Sequence, residues 1–173
     1  MRLAAFATAA LLTAAAPAAA QWTEYAYPKD AFTVSFPAEP TVETTTYQAV
    51  DGRAVPARLY SLTQGSTVLR MTVADLGGTP KEETAAVNHA IRALTEGGEI
   101  KLDIPHRISR IYGRQLSIVG PEGGRTLAAV FYAGGRLYLI EGKALPGSAD
   151  GTADAIRFQQ SLTFTDGGTN RTD

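Results

Sequence analysis

The chain has 173 residues, with 16 Lys and Arg against 17 Asp and Glu for a formal net charge of −1. That length predicts one domain whose core closes without covalent help, and a cysteine count of 0 excludes disulfides and thiolate zinc sites. The balanced charge leaves no electrostatic footprint for nucleic acid or anionic lipid, so neither is expected as a partner.

In chain order, the first element is a leader. Residues 1–20 carry one early cation (Arg2), an apolar run from Leu3 to Ala16, the helix-breaking Pro17, and Ala18, Ala19 and Ala20 at the end. This is the build of a secretory signal peptide, with cleavage expected between Ala20 and Gln21 and a soluble periplasmic or secreted product. A membrane anchor is the competing reading, but the run falls short of the about 20 predominantly apolar residues that span a bilayer. Without cysteine there is also no thiol for a lipid anchor. Residues 21–164 are then expected to form a single α+β domain. Residues 165–173 are polar, include Gly167-Gly168, and are expected to be a disordered tail.

Trp22-Thr23-Glu24-Tyr25 opens the mature chain as an aromatic first strand. Phe32-Thr33-Val34-Ser35-Phe36 alternates rings and valine with hydroxyls, the period-2 signature of a half-buried strand, and Pro37 and Pro40 end it. Residues 54–62 and 67–74 read as a hairpin around Gln64-Gly65-Ser66. Val68, Leu69, Met71 and Val73 make its second arm apolar enough to run centrally in a sheet. Thr79-Pro80-Lys81-Glu82 reads as a capping box opening a helix, with Val87, Ala90, Ile91 and Leu94 as its buried stripe and Gly97-Gly98 as its end. Residues 113–119, 125–132 and 137–144 form a strand meander joined by short glycine-rich links. Residues 145–151 are expected as a loop, and residues 152–162 as a second helix with Ala155, Phe158 and Leu162 facing inward. The expected architecture is an antiparallel β-sheet flanked by two main helices.

Two segments carry a resemblance: Phe32-Thr33-Val34-Ser35-Phe36-Pro37, and Arg157-Phe158-Gln159-Gln160-Ser161-Leu162-Thr163-Phe164. With the element order, they resemble the PsbP/Mog1-like group over residues 22–164. That group includes small exported bacterial proteins of unassigned role, photosystem-associated lumenal proteins and a binder of a small GTPase. The resemblance implies accessory and binding roles rather than catalysis. None of the group's functional residues matches a position of this chain.

Chemistry-bearing patterns are sparse. Of the two histidines, His89 falls on the polar side of the first helix and reads as a solvated surface residue. His106 follows Pro105, which reads as a strand break, and its reading stays open: a loop position near a pocket is one alternative, and a residue with no titrating or ligand-binding role is the favoured one. Neither has a second ligand at metal-binding spacing, and no metal or other cofactor is expected. Asp150-Gly151-Thr152-Ala153-Asp154 lacks the closing glutamate of a calcium loop, and helix capping by Asp150 or Thr152 accounts for it. Gly147-Ser148-Ala149-Asp150-Gly151 lacks the residue that a nucleophile elbow places between its first glycine and the serine.

The candidate binding residues are Arg107, Arg110, Tyr112 and Arg114, with Arg125 on the next strand. Guanidinium groups around a tyrosine hold a carboxylate or phosphate bidentately. The alternative is a solvated strand face, since alternation sends Arg107 and Arg110 to opposite sides unless the backbone breaks near Ser109. Trp22, Tyr25, Tyr27, Phe131, Tyr132 and Tyr138 read first as core aromatics and second as a stacking platform. The functional expectation is an exported non-catalytic binding or accessory domain whose partner is an envelope protein. A carrier of a small apolar or anionic ligand is the alternative, and a hydrolase with dispersed carboxylates the second.

Overall fold

The computed structural model describes residues 21–77 and 82–165. The predicted leader, Thr79 to Lys81 of the predicted capping box and residues 166–173 lie outside the described residues.

Among the described residues, ten strands and two α-helices follow in order: β1 Thr23–Tyr27, β2 Phe32–Phe36, β3 Thr41–Gln48, β4 Ala54–Gln64, β5 Thr67–Asp75, α1 Glu83–Thr95, β6 Glu99–Ile108, β7 Ile111–Val119, β8 Arg125–Ala133, β9 Arg136–Ala144, α2 Ala149–Gln160 and β10 Thr163–Phe164. A 3-10 turn over Pro28–Asp30 links β1 to β2. The strands form a three-stranded sheet, β1-β2-β10, and a seven-stranded sheet, β3-β4-β5-β9-β8-β7-β6, with every pair antiparallel.

The large sheet is covered on both faces, and strand alternation divides the residues between them. In β8, Ala129, Phe131 and Ala133 face the small sheet and α2, while Ala128, Val130 and Tyr132 face α1. The α2 face packs Phe32, Val34 and Phe36 of β2, with Phe158 and Leu162, against Tyr60, Met71, Phe131, Tyr138 and Ile140. On the opposite face, Ala86, Val87, Ala90 and Ile91 of α1 cover Leu116, Ile118, Val130, Leu137 and Leu139. Each large apolar side chain so buried contributes about 1.5–3 kcal/mol. Strands buried on both sides read as near-continuous apolar runs, which is why β5 is recognisable as a central strand.

Several boundaries differ from expectation. β3 falls where no strand is foreseen, because its sequence TVETTTYQ is exposed at all but Tyr47 and has no apolar face to alternate with. β6 runs straight through Pro105, which stands opposite Arg114 in register. β6 is an edge strand, where a proline's missing N–H points to solvent. α1 begins at Glu83, with no side-chain cap at Glu82. α2 begins within the expected loop, because the cap is Ser148 rather than Asp150 or Thr152. The Ser148 hydroxyl accepts the Gly151 amide at 2.9 Å, and its carbonyl accepts the Thr152 hydroxyl at 3.0 Å.

Candidate functional site

The α2 face of the large sheet is closed by a helix and three strands, whereas among the described residues α1 alone lies across the other face. A single helix is about 10–12 Å wide and cannot cover seven strands spaced about 4.8 Å apart. Depressions therefore flank it. Between α1 and β7 a groove of about 180 Å³ is lined by Glu83, Thr84, Val87, Asn88, Tyr112 and Arg114. Between α1 and the β3–β4 turn lies a cavity of about 100 Å³, lined by residues including Tyr47, Ala49, Arg53, Leu76 and His89. Past the end of α1 is a cleft of about 290 Å³, with Leu94, Ile118, Thr126, Lys143 and Pro146 among its walls.

Three of the four predicted site residues share the α1 face. Ser109 and Arg110 form the two-residue turn of the β6–β7 hairpin, with Ser109 at φ 56°. The backbone thus does reverse at Ser109, and the reversal sets Arg107 directly opposite Tyr112. The Arg107 guanidinium lies 5.8 Å from the centre of the Tyr112 ring, within cation–π range. Two residues along the same face, Arg114 donates to Asp103 Oδ1 from Nε at 2.9 Å, and its Nη2 lies 2.6 Å from the same oxygen. Tyr112 is 64% exposed, the most open of the large apolar side chains on the described surface. Arg110 occupies the turn itself. Arg125 stands at the far end of β8 opposite Val119, apart from Arg114, which pairs with Val130. The result is a ridge, Arg107 over Tyr112 and Arg114 braced by Asp103, beside a groove whose opposite wall is the first turn of α1. Glu83 gives that wall a negative charge.

The histidines depart from expectation. His89 is half-buried, with Nε2 3.0 Å from the Gln48 carbonyl and its ring edge-on to Tyr47, so it ties α1 to β3 instead of standing in solvent. His106 lies within β6, its ring 5.6 Å from that of Phe131, because the strand does not stop at Pro105.

Other polar groups have structural employment. Asp30 is 1% exposed. Its carboxylate accepts Nε of Arg58 at 2.6 Å and also Nη2 of Arg58 and the Tyr60 hydroxyl, while Tyr138 donates to its carbonyl at 3.0 Å. Asp75, 3.5 Å from Arg58 Nη2, accepts Arg136 Nε at 2.8 Å. Burial raises the Asp30 carboxyl, but the hydrogen bonds and cationic neighbours outweigh it and hold the group below its ordinary value. An inaccessible carboxylate held ionised in this way is a charge partner, not a general acid. The Ser148 hydroxyl is likewise spent on the cap and on Ser66 Oγ at 2.5 Å. Among the described residues no group of three or more His, Cys, Asp and Glu is placed to hold a metal ion, and no helix is long and apolar enough to cross a membrane. The aromatics mostly pack inward: Phe32 meets Tyr60 and Tyr138, and Tyr25 meets Phe36. Trp22 is the exception in kind, with the Arg157 guanidinium 4.8 Å above its ring.

Sequence reasoning left the Asp30 network, the Asp103 brace and the His89–Gln48 tie unseen. Their partners lie 28, 11 and 41 positions apart and meet only through sheet register and helix packing.

No family model matches the chain, and no curated protein matches it. Among solved structures it is similar to the solution structure of cyanobacterial PsbP (CyanoP) from Synechocystis sp. PCC 6803, at 12% identity and a TM-score of 0.56. The match covers 89% of this chain and 98% of that one. At that identity the likeness is one of fold: the α+β architecture is PsbP-like, as the two sequence segments imply.

Proposed function

We propose that the protein is an exported accessory domain that binds a protein partner through its α1 face. The observation that carries the reading is the exposed Tyr112, stacked beneath Arg107 next to a braced Arg114, at the lip of the groove along α1. Tyrosine and arginine are the side chains that most often anchor protein interfaces. Tyr112 supplies apolar area with a polar tip at little entropic cost, and Arg107 adds a bidentate donor for a partner's carboxylate. The PsbP-like fold agrees with an accessory role, and the leader composition supports export.

The test has two readouts. Tagged chain expressed in a Gram-negative host and recovered from the periplasm is expected to begin at Gln21, and retention of residues 1–20 overturns the export half. Crosslinked complexes from the envelope fraction are expected to contain one polypeptide that is lost with Tyr112→Ala and with Arg107→Ala, while thermal melting is unchanged. Complexes that survive both substitutions overturn the binding half. The cleft past α1, of about 290 Å³ and walled in part by Leu94, Ile118 and Pro146, favours a second reading as a carrier of a small apolar ligand, since Glu96 and Glu122 outnumber Lys143 in its lining and disfavour an anion. Retention of an apolar molecule in native mass spectrometry, lost with Leu94→Ser, would select it.

A further inference from the structure

The seven-stranded sheet has two edges, β3 and β6, and they are built differently. The turn that closes β3 and β4 fixes which backbone groups face outward: the Ala49 amide donates to the Arg53 carbonyl at 2.8 Å, so Ala49 and Arg53 form a hydrogen-bonded pair. Bonded and non-bonded pairs alternate along an antiparallel ladder. Tyr47, Thr45 and Glu43 therefore spend their N–H and C=O groups on β4, and Gln48, Thr46, Thr44 and Val42 direct theirs away from it. Pro56 agrees with this phase, because it stands opposite Thr46, where the ladder asks no N–H of it. The outward Gln48 carbonyl is met by His89 Nε2 at 3.0 Å. No backbone–backbone bond among the described residues engages the outward groups of Val42, Thr44 and Thr46.

The same bookkeeping on β6, counted from the two-residue turn at Ser109-Arg110, puts Arg107, Pro105 and Asp103 on the outer side. There proline removes the central donor and two charged residues flank it, which are devices that keep a sheet edge from pairing. Between Thr41 and Gln48, β3 has no proline, no lysine and a single charge, Glu43, and seven of its eight side chains are exposed. Its neighbours on the small sheet offer less length: β1 has five residues and β10 two.

We propose that β3 pairs with β3 of a second copy of this chain, antiparallel about a two-fold axis at Thr44, joining the two large sheets edge to edge. The register is self-complementary. A two-fold at Thr44 sets Val42 against Thr46′, Thr44 against Thr44′ and Thr46 against Val42′, so the outward donors and acceptors of one copy meet those of the other. Thr–Thr pairs across strands are favourable. The same register sets the one charge, Glu43, against Thr45′ and not against itself. Moving the axis one residue keeps the outward groups facing one another but is less favourable: at Glu43 it sets like charges opposite each other, and at Thr45 it sets Val42 against Gln48′, whose carbonyl His89 already holds. A small net charge of −1 adds little repulsion between copies. Pairing confined to one strand buries less than the about 1,200 Å² of a standard stable interface, so the dimer is weak and concentration-dependent.

Sedimentation equilibrium of the mature chain from 10 μM to 1 mM, each on the order of the range that separates transient from stable association, tests this. The expected result is a weight-average mass rising toward twice the monomer value. Amide shift changes with concentration are expected to be confined to Val42–Thr46. Thr44→Pro is expected to hold the protein monomeric throughout while leaving its melting temperature within a few degrees, since Pro105 occupies the equivalent outward position on β6 without breaking that strand. Thr44→Lys, which places like charges across the axis, is the second variant and is expected to abolish association without touching the β3–β4 ladder. A monomer at every concentration overturns the proposal, as does a dimer that persists in both variants. So does an edge that pairs with a different polypeptide while showing no self-association.

Discussion

Asp30 ends the 3-10 turn between β1 and β2, is 1% exposed, and receives hydrogen bonds from Arg58 and Tyr60 of β4. The cluster fastens the small sheet to the large one, and its pH dependence has a definite sign. Burial opposes ionisation, but the Arg58 and Tyr60 hydrogen bonds and the Arg58 and Arg136 charges prevail, so the folded carboxyl titrates below its ordinary 3.8. A depressed acid stabilises the fold fully above the unfolded value and loses that contribution as pH falls through the folded one. Asp30→Asn is expected to cost about 3 kcal/mol at pH 7, because it leaves a partly buried guanidinium with only the more distant Asp75 as counter-charge. In urea unfolding the gap from the wild type should narrow as pH drops below 3.8. A constant gap would mean that Asp30 acts through shape alone. Glu141 on β9 carries the opposite sign. Burial raises its carboxyl above the ordinary 4.5 against the pull of Arg70 and Lys143. Its ionised form therefore costs stability as pH rises through the folded value. Glu141→Gln is expected to stabilise the protein at pH 7 by up to about 1 kcal/mol, with the two proteins converging in acid.

Among the elements, α2 is held closest to the sheet, and Gly142 of β9 is the reason. A Cβ there would lie 2.6 Å from the Ala155 Cα, so helix and strand approach where no side chain fits between them. Gly142→Ala must lift the helix and is expected to cost about 2–3 kcal/mol. Ala155→Gly should restore only part of that loss, since the Ala155 carbonyl oxygen is also within 2.8 Å of the added carbon. Melting temperatures of the single and double variants check both statements. How far each element is legible depends on how it is buried. β2, β4, β5 and β7 to β9 announce themselves because alternation or a continuous apolar run records a covered face. β3 covers nothing, so its four threonines carry no period and it stays invisible until β4 is seen beside it. β6 is masked by Pro105, which reads as a stop although its place on an edge makes it harmless. The Ser148 cap is hidden because Asp150 and Thr152 are equally good capping residues by type, and only the geometry selects between them. The site shows the same limit: Arg107 and Tyr112 stand out by kind, but their pairing requires the turn at Ser109, which is not a glycine although its φ is 56°.

At the scale of the molecule, the two faces of the large sheet differ in closure, and that difference separates stability from recognition. The α2 face holds Phe32, Phe36, Phe131, Tyr138 and Phe158, all at or below 1% exposed, in ring contacts such as Phe36 to Phe158 at 4.8 Å. The α1 face relies on alanines and smaller aliphatics beneath one helix, with Val87 and Ile91 at the edge of burial and depressions on either side. Removing a ring from the closed face leaves a cavity that nothing can collapse into, whereas α1 can settle toward the sheet when a side chain beneath it shrinks. Phe158→Ala is therefore expected to cost about 3–5 kcal/mol, and Ile91→Ala about 2, at the low end for its type. The two should also differ in kind. Phe158 meets Phe36 of β2, so its loss should release the small sheet and abolish amide-exchange protection across β1 and β2. Ile91→Ala should leave those amides protected and expose only α1. Equal costs, or small-sheet protection surviving in Phe158→Ala, would mean that the two faces share the load and that α1 is as much a structural lid as α2.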